Sequence, residues 1–394
     1  MRTLWFLFCS FLFVLPMRAQ EVDTGALRFK MVFVGDVMGH DSQIASAKLV
    51  KDSLYDYSPC FEYISPILKQ ADLAIANLEV TLPGKPPYKG YPQFRSPNDL
   101  ALALRYAGFN LLVTANNHSN DSGKAGVVNT INTLYDYGFY QTGTFQSQEE
   151  RDAFYPLIVY RNQFKLAFLN YTYGTNGLPT RPPTIVNLID EEQIRKDIIE
   201  AKALRPDFIT VLIHWGLEYQ LNENSQQRQL ADSIFHWGAD LVVGAHPHVV
   251  QPIKEVNIQQ KDGRQKKGLI AYSLGNFISG QRRQYTDGGI MFEVEIEKKE
   301  VGSKAQIVRN NYIPVWRYIK KTGKTSTYQV VPIAPFEDGQ EGLLGMSNSD
   351  KSKMKFYGQA TRKQLDRFDS SERKITLQEL GLFPKETIKV IDKR

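Results

Sequence analysis

The sequence predicts an α/β protein with helices packed outside its sheet or sheets. Three observations lead there: strand-length runs apolar at consecutive positions, helical patterns lying between them, and glycines where those helical patterns stop. Consecutive apolar positions mark strands buried on both faces. Strands are expected over 29–34, 73–76, 110–114, 165–170, 208–213, 240–243, 269–272 and 290–296. Helices are expected near 59–70, 97–107, 124–137, 190–204 and 225–237. Ser96, Pro97, Asn98 and Asp99 offer an N-cap serine, a proline at the first helical position and an acidic first turn. Gly108, Gly138 and Gly238 stand where helices should end. No repeat of roughly 20–50 residues is visible, which removes solenoids and propellers.

Residues 1–19 are expected to be a secretory signal rather than part of the fold. Arg2 precedes an apolar stretch from 4 to 15, too short to span a bilayer as a helix, and Ala19 offers a cleavage point. An uncleaved N-terminal anchor is the rival reading. Either way the protein would work outside the cytoplasm, as a secreted, periplasmic or cell-surface chain. Cleavage would remove Cys9 and leave Cys60 alone, so any bound metal must use nitrogen and oxygen ligands. At 42% apolar and 23% charged residues the chain is ordinary globular protein. Its formal charge of +6 is mild for 394 residues, and the lack of a dense basic block excludes nucleic-acid binding.

The main domain is placed at 28–300. Beyond it the texture changes: strands are expected over 305–319 and 325–333 around a turn at 320–324, then a helix near 350–366. Residues 301–394 form either a small C-terminal subdomain or an extension wrapped on the main one.

Five of the six histidines end short apolar runs beside Asp, Asn or Gly. Ligands in open α/β sheets bind beyond the carboxyl ends of strands. Asp36 and His40 leave the first strand there, Asn77 and Glu79 the second, and Asn116, Asn117, His118 and Asp121 the third. His214 ends the 208–213 run, His246 and His248 follow 240–243, and Asn276 follows 269–272. His246 and His248 are expected on one side of an extended segment, by its two-residue period. Such a set of nitrogen and oxygen ligands suits Mn, Fe or Zn. It exceeds what one tetrahedral ion needs, and two divalent ions sharing a carboxylate would use it all. His236 lies in a helical last turn, where a partly charged imidazole complements the dipole, and takes no catalytic role. The Pro-, Gly- and Arg/Lys-rich segment 83–97 reads as an ordered loop able to wall a cleft.

The motifs GDVMGH, NLEVTL, FRSP, GFNLLVTANNHSNDSGKAG, IHWGLEYQ, GADLVVGAHPHVVQP and IAYSLGNF occur in the order seen in the CapA family. The match spans roughly 28–296. That family is associated with capsule and poly-γ-glutamate synthesis, and it is similar to the calcineurin-like metallophosphoesterases. The resemblance implies two stacked mixed β-sheets flanked by helices, a metallophosphatase-like αββα sandwich with a small C-terminal extension. It implies a dinuclear centre in which Asp36, His40 and His248 serve one metal and Asn117, His214 and His246 the other. Glu79 would bridge them, and His118 would be the general acid. Two positions depart from the wider phosphoesterase pattern. Asp36 and His40 are spaced Asp-x-x-x-His rather than Asp-x-His, and Glu79 stands where an aspartate is usual.

The function so implied is a secreted metal-dependent hydrolase or transferase acting on poly-γ-glutamate or another anionic envelope polymer. Asp121 would orient His118 as its catalytic partner. Arg95 and Lys89 would hold carboxylates or phosphates, with Asn116 and Asn276 also on the substrate side and Asn276 orienting a histidine. The alternatives are a phosphoesterase on a small phosphate ester, and a polymer-binding accessory subunit of a membrane-bound synthase complex.

Overall fold

The computed structural model describes residues 25–49, 54–259, 263, 265–323, 325–337, 339–366 and 370–382. The expected signal segment and Cys9 lie outside the described residues. The chain begins with β1 (Leu27–Val37), β2 (Leu73–Leu78), β3 (Leu111–Val113), β4 (Tyr140–Thr142), β5 (Thr144–Phe145) and β6 (Leu157–Arg161). It continues through β7 (Phe164–Thr172), β8 (Ile185–Val186), β9 (Phe208–His214), β10 (Leu241–Ala245), β11 (Ile253–Gln259) and β12 (Gln265–Ala271). The last strands are β13 (Asn276–Ile278), β14 (Gly288–Lys298), β15 (Gln306–Thr322), β16 (Thr325–Pro332) and β17 (Ser371–Glu372).

Two mixed sheets result. One runs β16-β15-β14-β1-β2-β3-β4, with β13 added beside β1 and β17 beside β15; the other runs β11-β12-β10-β9-β7-β6. Alternation along the strands stacks them. Phe29, Met31 and Phe33 of β1 pack in one core with Leu166 and Phe168 of β7 and Leu241 and Val243 of β10, while Val32 and Val34 join a different core. On the far side of the second sheet Ala167, Leu169, Val211 and Val242 pack against the helices Glu191–Ala203 and Ser225–Trp237. The outer face of the first sheet is covered by Leu100, Ala101 and Leu104 of helix Asp99–Ala107. Consecutive apolar positions in these strands therefore feed two cores at once. The layers are helix, sheet, sheet, helix.

After residue 300 the chain adds β15 and β16 in antiparallel register to β14, then lays helix Asn348–Leu365 over the same sheet. The hairpin turns after Thr322, which pairs with Thr325, so β15 runs on into the expected turn.

Two helix expectations change. The 59–70 segment is broken into a 3-10 turn, Ser58–Phe61, and a four-residue helix, Ser65–Leu68. Pro66 removes a backbone donor and disfavours helical backbone just before it, which explains the break. The next helix starts at Asp99, and Ser96 does not cap it: its amide pairs with Thr81 and its hydroxyl, buried, has no partner. Gly108 and Gly238 do close their helices, at φ of 119° and 137°.

Gly35 is the tightest point of the sheet. A Cβ there would lie 1.9 Å from the carbonyl oxygen of Gly275, where Asp36 N–H donates to that same oxygen at 3.0 Å. Gly35→Ala must push β1 and β13 apart and is expected to destabilise the fold by about 2–3 kcal/mol. Chemical unfolding of the purified variant would show this as a lower midpoint at unchanged m-value; a change under about 0.5 kcal/mol would contradict the packing described.

Candidate metal centre

Strand register assembles the site. Asp36 pairs with Asn77 of β2 on one side and Asn276 of β13 on the other. In the second sheet His214 pairs with Ala245 of β10 and Thr172 of β7, so the His246–His248 segment leaves the sheet beside it. The carboxyl ends of both sheets thus deliver side chains to one buried space.

Two groups of ligand atoms lie there, each within 4.8 Å of one another: Asp36, Glu79 and His214, and Glu79, His246 and His248. Glu79 is common to both. All five side chains are buried. Asp36 Oδ1 accepts from Asn77 Nδ2 at 2.8 Å and its Oδ2 from His248 Nδ1 at 3.0 Å. His248 Nδ1 also meets Asn276 Oδ1 at 3.1 Å, so its Nε2 turns toward Glu79 and Glu218, 3.9 Å from each. His214 Nδ1 accepts from Asn77 Nδ2 at 3.2 Å, and its Nε2 lies 2.9 Å from Asn117 Oδ1 and 3.5 Å from Glu79 Oε1.

Glu79 is the anomaly. Both its carboxylate oxygens are fully buried and neither has a hydrogen-bond donor; Nδ1 of His246 is likewise buried without a partner. Buried polar atoms in folded proteins are normally paired. A carboxylate without donors, faced by imidazole nitrogens, has the chemistry of a cation ligand, and this donor set fits divalent metals of the Mn, Fe or Zn kind.

The electrostatics follow from burial. Desolvation and the neighbouring Asp36 raise the Glu79 carboxyl well above its ordinary value. Burial also lowers His214 to about 3 and His246 well below the usual imidazole range, so both are neutral and ready to ligate. For Asp36, burial is outweighed by His248, His214 and Asn77, and its carboxyl is lowered to about 2. For His248, burial is outweighed by Glu79 and Asp36, and its imidazole is raised to about 9.

The geometry of His246 and His248 differs from the sequence expectation. They do not alternate along an extended strand. Both adopt left-handed backbone, at φ of 97° and 59°, and the rings meet with centroids 5.8 Å apart. Non-glycine residues rarely take such φ values, and where they do the strain is commonly held at a functional site.

His118 stands beside the cluster. Its Nδ1 lies 2.7 Å from Asp121 Oδ2, which also accepts the Phe94 N–H at 2.5 Å. Asp121 therefore holds the proton on Nδ1 and leaves Nε2 free to act. Phe94 packs edge-on against His118 at 4.6 Å and against His40 at 4.9 Å. The 83–97 loop thus does wall the site. Within it Lys89 and Arg95 pair through their backbones; Lys89 is exposed, and Arg95 carries a buried Nε with no partner.

His40 belongs to neither ligand group. Four residues past Asp36 the chain has already turned, and His40 forms the N-terminal boundary of helix Asp41–Ala47. Its Nδ1 accepts the Gly280 N–H at 3.0 Å, tying the 279–287 loop to β1, and burial lowers it to about 4. Asn116 and Asn276 turn their amides inward. Asn116 donates to Leu78 O and Asn77 Oδ1 and accepts from His118 N–H. Asn276 accepts from His248 and donates to Gln281 Oε1 and Thr286 O. Both position neighbours and have little left to offer a substrate.

Sequence reasoning placed Asn77 at a strand end without a specific role, and gave none to Tyr173 or Glu218. Asn77 follows the same strand as Glu79, so its position was visible though its bridging of Asp36 and His214 was not. Tyr173 covers His246 with ring centroids 4.6 Å apart. Glu218 follows His214 by four residues, in a turn whose return toward His248 no periodicity signals.

Two outcomes are expected. Metal binding at His248 Nε2 must release the proton held there, whereas His214 and His246 are already neutral. Glu79, whose carboxyl is raised by burial and by Asp36, must likewise bind without a proton, so affinity for Mn²⁺ or Zn²⁺ should rise with pH. Titration calorimetry between pH 6 and 8 checks the sign. Glu79→Gln removes the carboxylate that burial disfavours, so in chelator the variant should unfold no earlier than wild type. Added metal at about 100 times Kd should stabilise wild type by about 2.7 kcal/mol and the variant far less; equal gains would remove Glu79 from the ligand set.

Comparison with known proteins identifies the family. Residues 30–281 match the family described as bacterial capsule synthesis protein PGA_cap. The PGA biosynthesis protein CapA of Bacillus subtilis (strain 168) is 27% identical over 277 residues, 68% of each chain. The capsule biosynthesis protein CapA of Bacillus anthracis is 28% identical over 282 residues, 68% of this chain and 63% of that one. This chain therefore spans about two thirds of the length of these relatives. The crystal structure of calcineurin-like phosphoesterase YfkN from Bacillus subtilis overlies 86% of this chain and 99% of its own, at 12% identity and a TM-score of 0.42, a loose likeness. On the family match across most of its length, the chain belongs to the bacterial capsule synthesis protein family PGA_cap.

Proposed function

We propose that this chain is a metal-dependent hydrolase or transferase, working outside the cytoplasm on poly-γ-glutamate or another anionic polymer of the cell envelope. The buried, donorless carboxylate of Glu79 among Asp36, His214, His246 and His248 is the observation that carries this reading. Membership of a capsule synthesis family, and relatives named for PGA and capsule biosynthesis, support an envelope polymer as the substrate. Asp36, Glu79, His214, His246 and His248 would hold the divalent ions, with Asn117 beside His214. When bound, such ions polarise a carbonyl or phosphoryl oxygen and supply an activated water.

The chain's own residues do the rest. Asn77 and Asn276 fix Asp36, His214 and His248 in place through the hydrogen bonds described. His118, with its Nδ1 proton held by Asp121, would act as the imidazolium, giving its Nε2 proton to the leaving group and returning to the neutral ring. Arg95, whose Nε lacks a partner, and Lys89 in the same loop would grip carboxylates of the polymer. Phe94 and Tyr173 border the site with rings that exclude water.

The test uses the purified chain loaded with Mn²⁺ or Zn²⁺, following the length of a γ-glutamyl polymer over time. Cleavage abolished by chelator is expected. His118→Ala should lower kcat by about 10²–10⁴ at unchanged metal content, and wild-type turnover in that variant would end the assignment of His118. A loaded protein that cleaves neither γ-glutamyl polymers nor phosphoesters would favour an accessory polymer-binding role beside a membrane synthase.

A further inference from the structure

A spacious groove lies beside the ligand cluster, between the 279–287 loop, β15, β16 and helix Asn348–Leu365. It measures about 810 Å³, within the range of ligand sites. Its walls carry six cationic side chains, Lys48, Arg282, Arg283, Arg317, Lys321 and Lys353, against two carboxylates, Asp287 and Asp350. Among the described residues, none of the six cations is in an ion pair. The two carboxylates are engaged elsewhere: Asp287 accepts from Trp316 Nε1 at 2.8 Å and Asp350 from Ser347 Oγ at 2.6 Å. Arg317 is only 8% exposed, yet its Nε has no partner, and a single guanidinium nitrogen donates to Gln281 O at 2.9 Å. A buried guanidinium with an unused N–H on a groove wall is built to receive an anion.

The groove is coupled to the centre by short contacts. Arg283 lies over the ring of Tyr219, 4.1 Å from its centroid, and Tyr219 lies 6.1 Å from the His248 ring. Asn276, which meets His248, is held by Gln281 and Thr286 of the same loop. A second cavity of about 320 Å³ shares the walls Tyr285 and Tyr357.

We propose that this groove is a binding track for a linear polyanion, with charges repeated along its length, that feeds the chain to the ligand cluster past Arg283. This rests on the reading of the centre as one that acts on an anionic polymer. Six cations line the groove against two carboxylates, with Asp287 facing Arg317, and leave an excess of positive charge; repeated carboxylates or phosphates satisfy it at successive positions, with an attraction weakened by salt.

The test is fluorescence anisotropy of the metal-loaded full chain with labelled poly-γ-glutamate, linear polyphosphate and neutral dextran, at low and high salt. Wild type should bind the two anionic polymers and not dextran. The tighter of the two identifies carboxylate or phosphate as the natural source. Arg282→Glu, Lys321→Glu and Lys353→Glu combined should weaken binding at least about tenfold and flatten its salt dependence. Metal content and unfolding midpoint should stay unchanged, because these three side chains are exposed. The corresponding triple Gln variant serves if charge reversal impairs folding. Wild-type binding in both variants, or dextran bound as tightly as the polyanions, overturns the groove. Polymer binding that depends on the groove while wild type cleaves nothing overturns the hydrolase reading alone. Cleavage by wild type with binding indifferent to the groove variants overturns the groove alone.

Discussion

The constraint on which the rest of the structure depends is the desolvation of Glu79. A carboxylate removed from water without a hydrogen bond is among the most unfavourable arrangements a protein interior can hold, and it resolves either by protonation or by a partner cation. Here the nearest amide and imidazole donors are turned to other partners, and His248 Nε2 stops 3.9 Å short of it. The Asn77 amide goes to Asp36 and His214, His248 gives its Nδ1 proton to Asp36, and the Asn116 amide goes to Leu78 and Asn77. The surrounding network is thus arranged to fix Asp36, His214 and His248 while leaving Glu79 bare. A stability-driven core would have placed an amide against it. The stacked sheets supply the rigidity this needs, because strands buried on both faces cannot shift to bring in a donor without opening two cores.

The same reasoning explains the backbone at His246 and His248. Left-handed φ at two histidines around a proline is unfavourable, and the local sequence offers no glycine to ease it. The strain is tolerated because β10 is clamped between β9 and β12, and Trp215 N–H and Tyr219 N–H anchor the neighbouring turn to Ala245 and Pro247. An extended segment would have sent alternate rings along the strand axis. The kinks turn both rings toward one carboxylate instead.

How much of this was legible follows from the kind of signal each element leaves. Doubly buried strands such as β1, β7 and β9 announce themselves by apolar runs, and Gly108 and Gly238 end helices where glycine alone is comfortable. Edge strands such as β11, half polar at Ile253–Gln259, leave no such run. The donor atoms at strand ends were visible as residue types, and Asp36, Glu79, His214, His246 and His248 do converge. Orientation was not visible. Whether His40 reaches the cluster depends on where β1 stops and a helix begins, and whether Asn276 faces substrate or His248 depends on the register of β13 against β1. Those are tertiary facts, set by Gly35 meeting Gly275 across the strands rather than by any local pattern.

The division of charge between centre and groove then has a physical rationale. The ligand cluster draws on carboxylates, with Glu218 at its margin and Asp121 behind His118, and by itself it repels an anionic chain. An anionic polymer approaching it needs favourable potential along its length before any group near the cluster can be held. Distributed exposed cations provide that at a distance, whereas a single buried arginine acts only on contact. Placing the cations on the C-terminal strands and helix separates the two demands. The centre keeps the dry, rigid environment its ligands require, and the solvated groove carries the charges that would disrupt that environment if they were moved inward. The 279–287 loop joins them, since its Gly280, Gln281 and Thr286 hold His40 and Asn276 while Arg282 and Arg283 between them line the groove. A change in that loop would therefore be felt on both sides, in how His248 is oriented and in how the groove cations are placed.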